Sequence, residues 1–248
     1  MTRDELLQAL FSDRAILTEC RGAVFSGHAR TEKGVELGLI GIDGGVPVSI
    51  DIACDLARYV LAFAQREDRA PLVILVDTSA QSMTRRDELL GLNEYLAHLA
   101  KTILVTSGKG HRTIGILYGK AAAGAFIATA LATDWLITVP GAEPSVMDLP
   151  SIARVTKLPL ERLEKLSRTT PIFAPGVEAL AATGAVTATW SRPSEYPGQL
   201  DALLEREFPG DRRDQLGKER GGRTKAADIT RSVMALVQEK ENDRLAAS

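Results

Sequence analysis

The chain has 248 residues, 45% of them apolar and 25% charged, with a formal net charge of −2, the balance of a globular domain able to bury a full core. Such a charge gives no electrostatic footprint for nucleic acid, and the basic stretch Arg212 to Lys225 is interleaved with Asp214 and Glu219. The first residues, MTRDELLQALF, form no secretory leader, and no apolar run reaches the length of a membrane span, so neither nucleic acid nor membrane is an expected partner and a cytoplasmic protein is expected. Cys20 and Cys54 stand alone and read as buried thiols, and His28, His98 and His111 are scattered, so no metal is expected.

Thr2 and Glu5 fit a capping box, and Leu6, Leu7, Leu10 and Phe11 follow at helical spacing, which predicts a short opening helix. Ala23–Ser26, Val35–Asp43 and Val46–Ile50 read as strands, with hairpin-type turns at Gly34 and Gly44-Gly45. Ala53, Leu56, Ala57, Val60, Leu61 and Ala64 predict a helix that stops before Pro71, and the continuous apolar run Leu72–Val76 predicts a strand covered on both faces. The cycle repeats: a turn over Asp77–Thr84, a helix through Leu92, Leu96, Leu99 and Ile103, and a strand beginning near Thr113.

From there the order is strand Ile114–Tyr118, turn Gly119–Gly124, all-apolar buried helix Ala125–Ala132 and strand Trp135–Val139. Three strand-turn-helix units predict a parallel sheet with helices outside it. Further on, Pro159–Ser167 and Pro175–Ala182 read as helices, the second capped by Gly184, while 193–197 and 210–223 read as linkers. Ile229, Val233, Leu236 and Val237 predict a final amphipathic helix facing this domain or another chain.

Ligands of open α/β sheets bind at the carboxyl ends of the strands, here the loops Asp77–Thr84 and Gly119–Gly124. Ala121, Ala122, Ala123 and Gly124 enter a helix there, so free amides and the positive end of its dipole can receive an oxygen anion; small residues equally serve tight helix-on-strand packing. Ser79 and Ser82 are possible nucleophiles, but neither sits in a G-x-S-x-G elbow and no histidine lies near in sequence. Arg85 and Arg86 read as surface charge paired with Asp87 and Glu88, or as partners of a substrate carboxylate or carrier phosphate. Lys120 is a solvated lysine or an anion contact, and His98 a packing or interface residue.

Three blocks, LVDTSAQSMTRRDELLGLNEYLAHLA (75–100), GHRTIGILYGKAAAGAF (110–126) and VMDLPSIARVTKLPLERLEKLSRTTPIFAPGVE (146–178), followed by GAV and Trp190, resemble the crotonase-type carboxyltransferase superfamily. Within it they are most similar to the gamma subunits of biotin-independent malonate decarboxylases. The resemblance implies a crotonase-like α/β fold over 1–210 with a linker and C-terminal helix over 211–248. It implies a carbon–carbon lyase core shared with a homologous beta carboxyltransferase subunit, in which malonyl-S-acyl carrier protein loses carbon dioxide to give acetyl-S-acyl carrier protein. The carrier's arm is coenzyme A-like, a separate alpha acyltransferase subunit exchanges acetyl for malonyl, and neither biotin nor a metal is expected.

Position by position, the resemblance gives the amides of Ser79, Ala80, Ala123, Gly124 and Ala125 the oxyanion role and places Thr78, Gln81, Gly119, Lys120, Ala121, Ala122 and Met147 around the substrate. The family pattern carries glycine where Ala80 stands and serine or a similar small residue at Ala123. A methyl at Ala80 disfavours positive φ, so a reshaped first hole, or one supplied by the partner, is expected. Two other readings stay open: a non-catalytic scaffold of the same complex, and another acyl-CoA hydratase, isomerase or biotin-dependent carboxyltransferase. A hydratase normally needs two glutamates near the thioester, and neither loop offers one.

Overall fold

The computed structural model describes residues 1–169, 174–207, 210–222 and 224–246. Helix α1 (Arg3–Phe11) opens with the expected capping box between Thr2 and Glu5. Strands β1 (Ala15–Arg21), β2 (Val24–Arg30) and β3 (Glu36–Ile42) form an antiparallel meander. Beyond it β3, β4 (Leu72–Thr78), β5 (Thr113–Ala122), β6 (Trp135–Thr138) and β8 (Ala188–Thr189) run parallel, and the three-residue β7 (Glu143–Ser145) pairs with the end of β5.

Side-chain alternation sends the central parallel strands β3 to β6 into two cores. From β4, Leu72, Ile74 and Val76 meet α2 (Ile50–Phe63), α4 (Leu92–Gly108) and α5 (Ala123–Ala128). Val73 and Leu75 meet α1 and α9 (Tyr196–Leu204) on the other face. A strand buried on both sides has no polar positions, which is why its run was continuous. The mainly parallel sheet with flanking helices is the architecture expected of the sequence.

Several expectations need correction. The segment 46–50 is not a strand: Val48 makes a single bridge to Gln81, and Ser49 already caps α2 by accepting from the Ile52 amide at 3.3 Å. The segment 119–124 is not a turn, because β5 continues to Ala122, held by Thr78 on one side and by β7 on the other. The helix after it is shorter than expected: α5 ends at Ala128, Thr129 breaks it, a 3₁₀ turn follows over Ala130–Ala132, and Ile127 is exposed. The helix predicted through Leu92, Leu96, Leu99 and Ile103 is α4, and a separate short helix, α3 (Arg85–Leu89), precedes it, the two divided at Gly91, which adopts φ 77°. Cys20 and Cys54 are exposed, not buried.

Helices α6 (Leu149–Thr156) and α7 (Leu160–Ser167) pack on each other, and α8 (Val177–Ala182) lies against β7. The linker-like stretches also carry helices, α9 at 196–204 and α10 (Arg213–Glu219). The Arg213 guanidinium donates to the Ala132 carbonyl at 3.2 Å and Arg220 to that of Gly184 at 3.0 Å, so α10 is fastened to the main body. Helix α11 (Ala226–Ala246) follows, with Ile229, Val233, Leu236 and Val237 exposed. Residues 170–173, within the third block, lie outside the described part, as does Arg223.

Candidate functional site

The carboxyl ends of β4 and β5 form an open shelf. A register shift after Val76 brings Thr78 opposite Ala121. Thr78 is fully buried, and its hydroxyl donates to the Val46 carbonyl at 2.6 Å, so it ties the loop 44–48 to β4 and does not face the shelf. Asp77, which sequence reasoning passed over, braces the opposite strand: its Oδ1 accepts from the Lys120 amide at 2.9 Å. A Cβ on Gly119 would lie 2.2 Å from that oxygen, so glycine is required there by close approach. An aspartate ending an apolar strand is the sequence signal for such a brace.

The first loop is pinned from beneath. Val48 N donates to the Ala80 carbonyl and Ser82 N to the Val48 carbonyl, both at 2.8 Å, leaving Ser79, Ala80 and Gln81 half-buried between these anchors and the shelf. Ala80 is not among the residues with positive φ; Ala123 is, at 52°. The strained alanine therefore lies in the second loop, where extended β5 turns abruptly into α5. Ala122 gives that helix no side-chain cap. The Gly124 amide donates instead to Gln81 Oε1 at 2.9 Å, joining the two loops. Ala121 is buried in the sheet, whereas Ala122 and Ala123 are half-buried at the turn and Ala125 is buried beneath it.

Ser82 is buried, and its oxygen accepts from the Thr84 amide at 3.4 Å. His111 is buried, His98 lies on the exposed face of α4 and His28 on β2, so among the described residues neither Ser79 nor Ser82 has a histidine partner. Asp87 is buried and accepts from Thr84 Oγ1 at 2.8 Å and from the Ile50 amide at 3.3 Å. The hydroxyls of Ser82 and Thr84, the Ile50 amide and Arg86 hold its carboxyl below the usual range. Arg86 is committed to Asp51 at 2.9 Å and Asp87 at 3.4 Å, as the surface-charge reading expects. Among the described residues Arg85 and the Lys120 ammonium have no ion-pair partner.

Tyr118 is buried, donates to Asp43 Oδ1 at 2.9 Å and titrates far above the usual phenol range because of desolvation, with Asp43 and Asp77 adding to it; it is a structural tie, not an acid. Met147 follows β7, whose Ser145 pairs with Ala122, and is 41% exposed. Met83, Leu89, Leu90, Ile127 and Val146 are likewise exposed around the two loops. Side chains of this kind rimming a donor-lined shelf mark a surface that another body covers. An apolar cleft of about 600 Å³ beside Tyr95 and His98 lies elsewhere, on the outer side of α2 and α4. No group of three or more metal-ligating side chains occurs among the described residues, and no helix of the described chain is long and apolar enough to cross a membrane.

Facing strand-end loops on a mainly parallel sheet, with helices on both faces and an open rim, define a crotonase-type α/β protein. The structures of a Pseudomonas malonate decarboxylase hetero-tetramer in complex with coenzyme A and of the MdcD-MdcE hetero-dimer share this fold. Their TM-scores are 0.73 and 0.74, each at 24% identity, and the matches cover 97% and 95% of this chain and 100% and 98% of theirs. The transcarboxylase 12S core matches with a TM-score of 0.66 at 19% identity over 82% of this chain and 39% of its own. In sequence, the malonyl-S-ACP:biotin-protein carboxyltransferase MADD of Malonomonas rubra is 27% identical over 227 residues, 83% of this chain and 73% of that protein. The profile of the malonate decarboxylase gamma subunit, MdcE, matches residues 44–237, and the chain belongs to that family.

Proposed function

We propose that this chain is the gamma half of a two-subunit decarboxylase site, closed over the shelf by a homologous beta subunit and acting on a malonyl thioester carried by a small acyl carrier protein. The observation that carries the reading is the family match over 44–237, which takes in both strand-end loops. The exposed apolar rim from Met83 to Val146 supports a subunit seated there. An alpha acyltransferase subunit and a coenzyme A-like carrier arm complete the cycle in this reading, and carbon dioxide leaves free without passing to biotin.

The reaction needs charge stabilisation above all. As the bond from the malonyl carbon to its carboxylate breaks, the electron pair moves into the thioester and negative charge develops on its oxygen; carbon dioxide departs and the enolate takes one proton to become acetyl. Donors preorganised on that charge contribute about 2.7–4 kcal/mol each, and an apolar rim that excludes water strengthens them. In the proposed site these donors come from Ser79 or Ala80 in one loop and from Ala123 or Ala125 in the other, the Gly124 amide being engaged by Gln81 Oε1, with Lys120 and Met147 at the edge. No side-chain nucleophile takes part.

The test is decarboxylation of malonyl carrier protein by this chain assembled with its beta partner. A Cβ on Gly124 already lies 3.3 Å from Leu96 and 3.4 Å from Gln81 Oε1, so Gly124→Val is expected to lower kcat by about 10²-fold while the fold survives. Ser79→Ala and Ser82→Ala are expected to keep wild-type turnover. A trapped acyl-serine would replace this mechanism with a hydrolase-like one, and a labelled biotin carrier would favour the transfer that the Malonomonas relative is named for.

A further inference from the structure

Hydrogen-bond chemistry fixes the orientation of one side chain on the shelf. A backbone amide only donates, so the atom of Gln81 that lies 2.9 Å from Gly124 N is the carboxamide oxygen, and the NH₂ end must face the other way. That end has no acceptor among the described residues, and the residue is half-buried, open to what enters the shelf. The backbone beneath cannot drift, because the bonds from Val48 N to Ala80 O and from Ser82 N to Val48 O flank Gln81 at 2.8 Å each. With Gln81 so held, the Gly124 amide is not free for a ligand. What the shelf presents in its place is a pair of N–H groups on Nε2, polarised by the bond at Oε1.

We propose that Gln81 Nε2 is the donor with which this chain meets an anionic oxygen of the malonyl group, Gly124 acting through it as the positioning group. The assignment rests on the malonyl-thioester reading above and goes beyond it by replacing a backbone donor with a side-chain one. A purely structural role, in which Gln81 stands in for the missing cap of α5, explains the bond at Oε1 and leaves Nε2 to water; the proposal has the malonyl oxygen take the place of that water.

The two roles diverge in Gln81→Glu. A carboxylate still accepts from Gly124 N and suits a helix N-terminus, so the variant is expected to melt no lower than wild type. Facing the substrate it turns a donor into a negative charge, and kcat/KM for malonyl carrier protein is expected to fall at least 10-fold at pH 8. Gln81→Leu, with neither acceptor nor donor, should be impaired and should also melt lower, because the bond from Gly124 N is lost. A Gln81→Glu complex that melts like wild type and keeps wild-type kcat/KM for malonyl carrier protein overturns the proposal. A wild-type complex that releases no carbon dioxide from malonyl carrier protein overturns instead the reading on which it rests.

Discussion

The two alanines of the loops respond oppositely to the same substitution. Ala123 sits at φ 52°, where a Cβ crowds the following carbonyl at a cost of about 1–2 kcal/mol; Ala80 is outside that region. Ala123→Gly is therefore expected to be neutral or to stabilise by up to about 1 kcal/mol, since relief of strain outweighs the added freedom of the unfolded chain. Ala80→Gly, with no strain to relieve, should destabilise by roughly 0.5–1 kcal/mol. Urea melts of the two variants check the signs, and two losses would place the strain elsewhere. At Gly119 a methyl must displace Asp77 Oδ1 and break its bond to the Lys120 amide. Gly119→Ala should cost about 1–3 kcal/mol, and pairing it with Asp77→Ala should recover part of that loss. Little of this was legible in the sequence: alanine is silent about its own φ, and an aspartate ending an apolar strand signals a brace but not its target, which depends on the register of β4 against β5.

At the scale of elements, legibility followed burial. Strands β4 and β5 were plain because both faces are covered and the runs are unbroken. Strand β1 went unread because the hydropathy of AILTECR does not follow its alternating burial, apolar Ile16 being exposed and Glu19 part-buried, and β7 because three residues with a central proline carry no period. Helix α6 also went unread, although its start carries the usual signals: Asp148 accepts from the Ser151 amide at 2.7 Å and Pro150 lies in the first turn. The break between α3 and α4 was hidden by apolar spacing that runs straight through Gly91. The first loop, α3 and the start of α2 meet at Asp87, whose carboxyl is held below the ordinary value of about 4 by the Ser82 and Thr84 hydroxyls, the Ile50 amide and Arg86. A depressed folded pKa contributes stability that is complete above the unfolded value and is lost as pH falls through the folded one. Asp87→Asn should thus be less stable than wild type at pH 7, with the gap in denaturant midpoint narrowing below pH 4. A gap constant down to pH 3 would mean that the carboxylate charge does not hold these elements together.

Among the uncovered apolar surfaces of the described residues are the rim of the shelf and the stripe of α11. The family match ends at residue 237, the last stripe residue, so the stripe belongs to the matched region while the charged end of the helix lies beyond it. Helix α11 is tied to α10 through the Lys218–Asp228 pair at 2.7 Å, and Ala227 is buried near the joint, but Ile229, Val233, Met234, Leu236 and Val237 are each more than half exposed. A helix that buries so little contributes little to the fold on which it stands. Removing residues 224–248 should therefore move the unfolding free energy of the isolated chain by less than about 0.5–1 kcal/mol. Exposed stripes of this size do not stay bare at working concentration, and the purified full chain should associate with itself when its beta partner is absent. Sedimentation velocity compares the two directly: the full chain is expected to show a concentration-dependent larger species and the chain ending at 223 a smaller one. If truncation lowers the melting temperature sharply, α11 belongs to the core after all; if both chains sediment as the same monomer, the stripe is not what drives association, and the shelf rim is left as the surface for which the beta subunit must account.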